Sequence, residues 1–211
     1  GENVMYVDQE LLTRFEAGLD PMHLESSDVP ATLLGYGEIS AIFQIHGDAS
    51  VAYKRMPLFP DREAAESYAA LYHEYCALLA EAGLTLPESA TRIVEVPGHP
   101  VVLYIAQQKF PSERVAHRLL HHLDPKAFAD MTERIVREIE KVWAFNRERG
   151  PSLELAIDGQ ISNWVLEEKE GAASLYFLDT STPLYRKEGA EQLDPRLLLQ
   201  AAPGCLRWIF E

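Results

Sequence analysis

The chain has 211 residues, room for one sizeable domain or for two small lobes around a cleft. Its 33 acidic against 19 basic residues leave a net charge of −14, which argues against a nucleic-acid backbone as partner and suits a cationic small molecule. Hydrophobic residues make up 47% with no run approaching twenty apolar positions, so no membrane span is expected; two cysteines, Cys76 and Cys205, are too few for a disulfide framework.

Gly1-Glu2-Asn3 has no basic region ahead of an apolar core, so no signal peptide is expected, and Gly1 reads as an expression remnant. A reducing, cytoplasmic home fits these features. From Asp8 to Ala17 the spacing of Leu11, Leu12 and Phe15 predicts a short amphipathic helix, stopped by Gly18. From Ala31 the pattern becomes β: Ile39, Ala41, Phe43 and Ile45 alternate on one face, His46-Gly47-Asp48-Ala49 turns, and Val51 to Met56 returns. Asp61 then caps a long helix from about Arg62 to Ala82, closed by Gly83. A strand pair follows, Thr91 to Val96 and Val101 to Gln107. Gln108 to Arg149 reads helical in two pieces broken at Asp124-Pro125, the second with Phe128, Met131, Ile135, Ile139 and Val142 on one side. Past Gly150 a hairpin is expected, Trp164–Leu166 with Leu175–Leu178, turning at Glu168-Lys169-Glu170-Gly171. Residues 1–30 thus read as a helical extension, 31–107 as a β-rich lobe with one long helix, and 108–211 as a mainly helical lobe.

Chemistry-bearing residues fall in a definite order along this plan. Leu34-Gly35-Tyr36-Gly37-Glu38-Ile39-Ser40 is a glycine-rich turn between strands; glycine lets a backbone approach phosphate oxygens, although turns use glycine anyway. A strand follows it and not a helix, which speaks against Rossmann and Walker-type loops. Val51-Ala52-Tyr53-Lys54 places a lysine on the next strand. Glu74 could pair with it, and Glu66 is the alternative two helical turns earlier. Downstream, Ala156-Ile157-Asp158-Gly159-Gln160-Ile161-Ser162-Asn163 sets a candidate base five residues before an amide, and Asp179 returns a second carboxylate after the hairpin.

Together these motifs resemble the protein-kinase-like superfamily, and more closely its aminoglycoside phosphotransferase and choline kinase branch, over about Leu33 to Asp179. The resemblance implies a two-lobed α+β fold with an antiparallel β-rich N-lobe and a helical C-lobe, and an ATP- and Mg²⁺-dependent transfer of phosphate to a hydroxyl of a small molecule. Carried over by position, Gly35, Gly37 and Ser40 would cover the phosphates, Lys54 would contact them, and Glu74 would orient Lys54. Ala52 would pack on the adenine, and Gln107-Gln108-Lys109-Phe110 would offer it backbone groups. Asp158 would take the hydroxyl proton; Asn163 and Asp179 would hold magnesium, an amide oxygen and a carboxylate being hard donors suited to it.

The chain departs from that pattern in three ways. Ala156 stands where such families usually have histidine, Asp179 is followed by Thr180-Ser181, and only about thirty residues follow it, ending in Leu206-Arg207-Trp208-Ile209-Phe210-Glu211 as if cut within a helix. A kinase-like binding or regulatory module without transfer is therefore the alternative, and an α+β protein with no nucleotide site stays open.

Other signals read as structural. His117 and His121, four apart, lack a third metal ligand and are expected at the surface. Cys76, the Trp143-Ala144-Phe145 group and Tyr68, Tyr72 and Tyr75 are expected to pack helices, and Glu167-Glu168-Lys169-Glu170 to be a solvated turn.

Overall fold

The computed structural model of the chain describes residues 5–20, 22–37 and 39–197; Gly1, Glu38, Cys205 and the apolar stretch from Leu206 lie outside them. The described chain is mixed α+β and divides into two compact units. One draws on Gly1–Ala70, Glu88–Lys109 and the residues from Asp194, the other on Leu71–Pro87 and Phe110–Leu193. No helix among the described residues is long and apolar enough to cross a membrane.

The first unit is built on a five-stranded antiparallel sheet ordered β1-β2-β3-β5-β4: Ala31–Tyr36, Ala41–Ile45, Val51–Phe59, Val101–Gln108 and Ser89–Val94. Alternation sends Ala41, Phe43 and Ile45 into a core with Val51, Tyr53, Val102 and Tyr104. The helix expected near the N-terminus forms as α1, Gln9–Ala17, with the Asp8 carboxylate accepting from the N–H groups of Glu10 and Leu11. It is part of this unit's core: Leu12 and Phe15 are wholly buried, and Phe15 meets Phe43 and Tyr104 edge-on. Glu16, on the same helix, is buried against Arg55 of β3 at 2.5 Å and also accepts from the Tyr104 hydroxyl.

Helix α2, Arg62–Glu81, follows β3, and the unit boundary falls inside it. Asp61 accepts from the Ala64 N–H at its start, and Gly83, at a positive φ of 98°, ends it.

In the second unit, α4 (Pro125–Arg149) is capped by Asp124 with proline in its first turn. Its apolar seam, Met131, Ile135, Val142 and Phe145, packs with Tyr75, Leu79, Leu155, Trp164 and Phe177. The hairpin is β7, Trp164–Lys169, with β8, Ala172–Phe177; Glu170 and Gly171 both have positive φ, a two-residue turn tighter than the four residues expected. A small sheet joins β6 (Leu153–Leu155), β9 (Tyr185–Lys187) and β10 (Ala190–Glu191).

Three expectations are corrected here. The first helical piece after Gln108 is broken up: Gln108 still pairs with Val51 in β5, Ser112–Arg114 is a 3₁₀ turn, and α3 spans only Ala116–Leu119. Pro111 offers no N–H and biases the residue before it away from helix, which explains the interruption. Phe128 and Trp143, expected to pack, stand on the flank of the α4 seam and remain 45% and 56% exposed. Cys76 is half-buried and not in the core.

Candidate active site

The glycine-rich turn is shaped by its own backbone. The Gly37 N–H donates to the Ser40 carbonyl at 2.8 Å, and β1 carries a bulge between Leu33 and Gly35. A Cβ on Gly37 would come 2.7 Å from the Ser40 Oγ, whereas one on Gly35 would meet open space. Ser40 is 1% exposed and its hydroxyl has no hydrogen-bond partner among the described residues. A buried hydroxyl without a partner costs about 1–3 kcal/mol, so it needs a reason.

Lys54 lies mid-strand in β3, opposite Ile42 and Ile105, and is buried. Alternation puts it with Ala52 on the face opposite Tyr53 and Arg55. At the end of β5, Gln107 is buried, the Gln108 N–H donates to the Glu88 carbonyl and the Lys109 N–H to that of Ser50, both at 2.8 Å. Those two donors are thus engaged in holding the strand's end. Phe110, in the second unit, packs on Tyr176.

The second unit gathers the oxygen-bearing residues. After β6 the chain runs through Ala156, whose N–H donates to the Leu184 carbonyl at 2.8 Å. Asp158 accepts from the Gln160 N–H through Oδ1 at 3.1 Å, an Asx-type turn. The Asn163 side-chain nitrogen donates to the Asp158 carbonyl at 3.0 Å, which leaves its oxygen directed elsewhere. Asn163 also extends the hairpin ladder, its carbonyl accepting from the Leu178 N–H at 2.8 Å. Thr180 N–H then reaches back to Leu178 at 3.0 Å, so Asp179 sits at the centre of a three-residue turn. Asp158, Asn163 and Asp179 are each half-buried, and three consecutive hydroxyl residues, Thr180, Ser181 and Thr182, are buried behind Asp179.

Residues 22–209 match the model of a family of unknown function, DUF6206. The chain belongs to the DUF6206 family. No curated protein matches it.

In this DUF6206 chain the structure supplies partners that the linear pattern did not. The Glu74 carboxylate accepts from the Tyr185 hydroxyl at 2.5 Å and from Lys187 Nζ; the Lys187 hydrogen bond, then that of Tyr185, holds its pKa below the usual carboxylate value. Glu66, the other candidate, accepts from Arg62 at 2.8 Å, and Arg62 also binds Glu95. Tyr185 and Lys187 come from a three-residue strand with no periodicity to announce it. By unit, Gly35, Gly37, Ser40, Ala52, Lys54, Gln107, Gln108 and Lys109 belong to the first, and Glu74, Phe110, Asp158, Asn163 and Asp179 to the second. Among the described residues no group of three or more His, Cys, Asp and Glu side chains is arranged to hold a metal, and His117 and His121 are exposed.

Proposed function

We propose that this DUF6206 chain is a kinase-like phosphotransferase of the aminoglycoside phosphotransferase and choline kinase type, using ATP and Mg²⁺ to phosphorylate a hydroxyl of a small, cationic molecule. The observation that carries the reading is one hydrogen-bonded run that ties the segments bearing the three residues: the Asn163 side-chain amide donates to the Asp158 carbonyl, and the Asn163 carbonyl accepts from the N–H of Leu178, next to Asp179. The order of strands in the first unit, with one long helix between β3 and β4, also suits a kinase-like N-lobe.

The donor set fits magnesium, which takes one or two carboxylates and completes its shell with water and phosphate oxygens; Asp179 and the Asn163 oxygen would hold it. When bound, the ion neutralises charge on the phosphates. The partnerless hydroxyl of Ser40, with Gly37 kept clear beside it, offers a donor to a phosphate oxygen. Lys54 adds a cation on the neighbouring strand. In the transfer itself, Asp158 accepts the acceptor's hydroxyl proton as that oxygen bonds to the γ-phosphorus, and ADP departs with the electrons of the broken phosphoanhydride bond.

Purified protein assayed with ATP, Mg²⁺ and a panel of alcohols, including amino alcohols, tests the reading. Turnover lost in Asp158→Ala with nucleotide affinity retained is the expected result, because the base acts on the acceptor. Absence of both turnover and nucleotide binding in the parent protein overturns it.

A second reading, a nucleotide-binding module without transfer, is favoured by Ala156 two positions before the base and by the buried Thr180 and Ser181 after Asp179. It is distinguished by nucleotide binding that does not depend on metal.

A further inference from the structure

An alanine at position 156 gives the loop that carries Asp158 no side-chain hydrogen bond of its own, yet the loop's backbone is held on several sides. Asn146 of α4 brackets Leu155, donating to its carbonyl and accepting from its N–H, both at 2.8 Å. One residue further, the Ala156 carbonyl accepts from the Tyr75 hydroxyl at 2.5 Å. Tyr75 comes from α2, 81 positions earlier, and is wholly buried. Its ring lies nearly parallel to that of Tyr185, at 6.1 Å and 3°, and the Tyr185 hydroxyl is bound in turn to Glu74, the residue before Tyr75. The phenol therefore has little freedom to turn away. Burial, then the nearby Asp179 and Cys76, push its pKa far above that of an ordinary tyrosine. The hydroxyl accordingly stays protonated and remains a donor, with the field of Asp179 reaching it.

We propose that Tyr75 is the positioning residue of the Asp158 loop, its hydroxyl fixing the Ala156 carbonyl where the loop supplies no side chain to do so. Two adjacent residues of one helix then serve two segments: Glu74 holds β9 through Tyr185 and Lys187, and Tyr75 holds the entry to the 158–163 turn. The consequence for catalysis rests on the phosphotransferase reading above; the consequence for the loop does not. Asp158 sits two residues past the fixed carbonyl, and a small displacement of a base relative to its proton lowers the rate without touching nucleotide affinity.

The test is Tyr75→Phe, which removes one oxygen and keeps the ring. Amide hydrogen exchange followed by mass spectrometry should show segment 156–163 exchanging roughly tenfold faster, as expected for one lost hydrogen bond, with α4 and β3 unchanged. Where the parent protein turns over, kcat should fall by about tenfold or more while KM for nucleotide stays within about twofold. Unchanged exchange at 156–163 overturns the proposal whatever the activity. Faster exchange in a protein whose parent shows no turnover supports the loop role and counts against the phosphotransferase reading alone. If Tyr75→Phe loses protection throughout the chain, replacement of Ile157 by its α-hydroxy acid decides, since it turns the Ala156 carbonyl into a weaker ester acceptor. No local acceleration in that variant overturns the proposal.

Discussion

Glu16 is the residue whose environment departs furthest from what its place in the sequence suggests. On α1 it follows Phe15 and is none of the apolar positions that predict the helix, but it is 1% exposed and bound to Arg55 Nε at 2.9 Å and to Arg55 Nη2 at 2.5 Å. Burial pushes the carboxyl's pKa up; the hydrogen bond and charge of Arg55, with the Tyr104 hydroxyl, outweigh it and hold the value below the ordinary 4.5. A depressed folded-state pKa means the contribution to stability is present above about 4.5 and is lost as pH falls through the lower folded value. Glu16→Gln should therefore cost about 3–5 kcal/mol at pH 7, because it leaves a buried guanidinium without its counter-charge, and should flatten the acid limb of the stability curve. Urea midpoints measured between pH 7 and 3 check both. The double change Glu16→Leu with Arg55→Met is expected to cost less than the single one, since no buried charge is then left alone. A pair 39 positions apart on a helix and a strand leaves no mark in local spacing, which is why neither partner was foreseen.

At the scale of elements, the glycine-rich turn separates what folding needs from what a ligand would need. Gly37→Ala drives a Cβ to 2.7 Å from the Ser40 Oγ, so it should destabilise by about 1–3 kcal/mol, and adding Ser40→Ala should recover most of that. Gly35→Ala meets nothing, so its stability change is expected within about 0.5 kcal/mol. Nucleotide affinity lost in Gly35→Ala without loss of stability would then locate a ligand at the turn; unchanged affinity removes that glycine from the proposed site. Chemical denaturation and nucleotide titration on the same preparations supply both numbers. Elements with strong local signals were legible: α1, α2 and α4 carry a capping aspartate and a following glycine, and the sheet strands carry two-residue alternation. The failures share a physical cause. Between Pro111 and Pro125 apolar residues recur often enough to suggest one helix, but the segment forms only the 3₁₀ turns Ser112–Arg114 and Leu120–His122 around the four-residue α3, each too short to show a period. The strands β6, β9 and β10 are two or three residues long, and only their pairing defines them. The candidate site divided in the same way: Asp158, Asn163 and Asp179 were visible as types at intervals, whereas Tyr75, which binds the Ala156 carbonyl, read only as helix packing, and Asn146, bound to Leu155, with Tyr185 and Lys187, bound to Glu74, carried no signal in the sequence.

For the whole molecule, the surplus of negative charge makes a demand on the proposed ligand. A nucleoside triphosphate approaching a chain of net charge −14, at the proposed site with Asp158 and Asp179, would meet repulsion that Lys54 offsets only in part and a bound cation would offset further. Nucleotide binding should therefore depend steeply on Mg²⁺. With nucleotide at 100 times its dissociation constant, Mg²⁺ present, stabilisation of about 2.7 kcal/mol is expected, and little without the metal. Asp179→Asn removes a ligand and a negative charge together, so its two effects have opposite signs. Metal-dependent stabilisation should fall sharply, while the small metal-free stabilisation should rise or stay level as one repulsive term disappears. A mutation that merely loosened the fold would lower both, so thermal shifts of the two proteins, each with and without Mg²⁺, tell a metal ligand from a structural residue. Equal metal dependence in both proteins would take Asp179 out of the proposed site, and with it the argument that joins Asn163 to the chemistry.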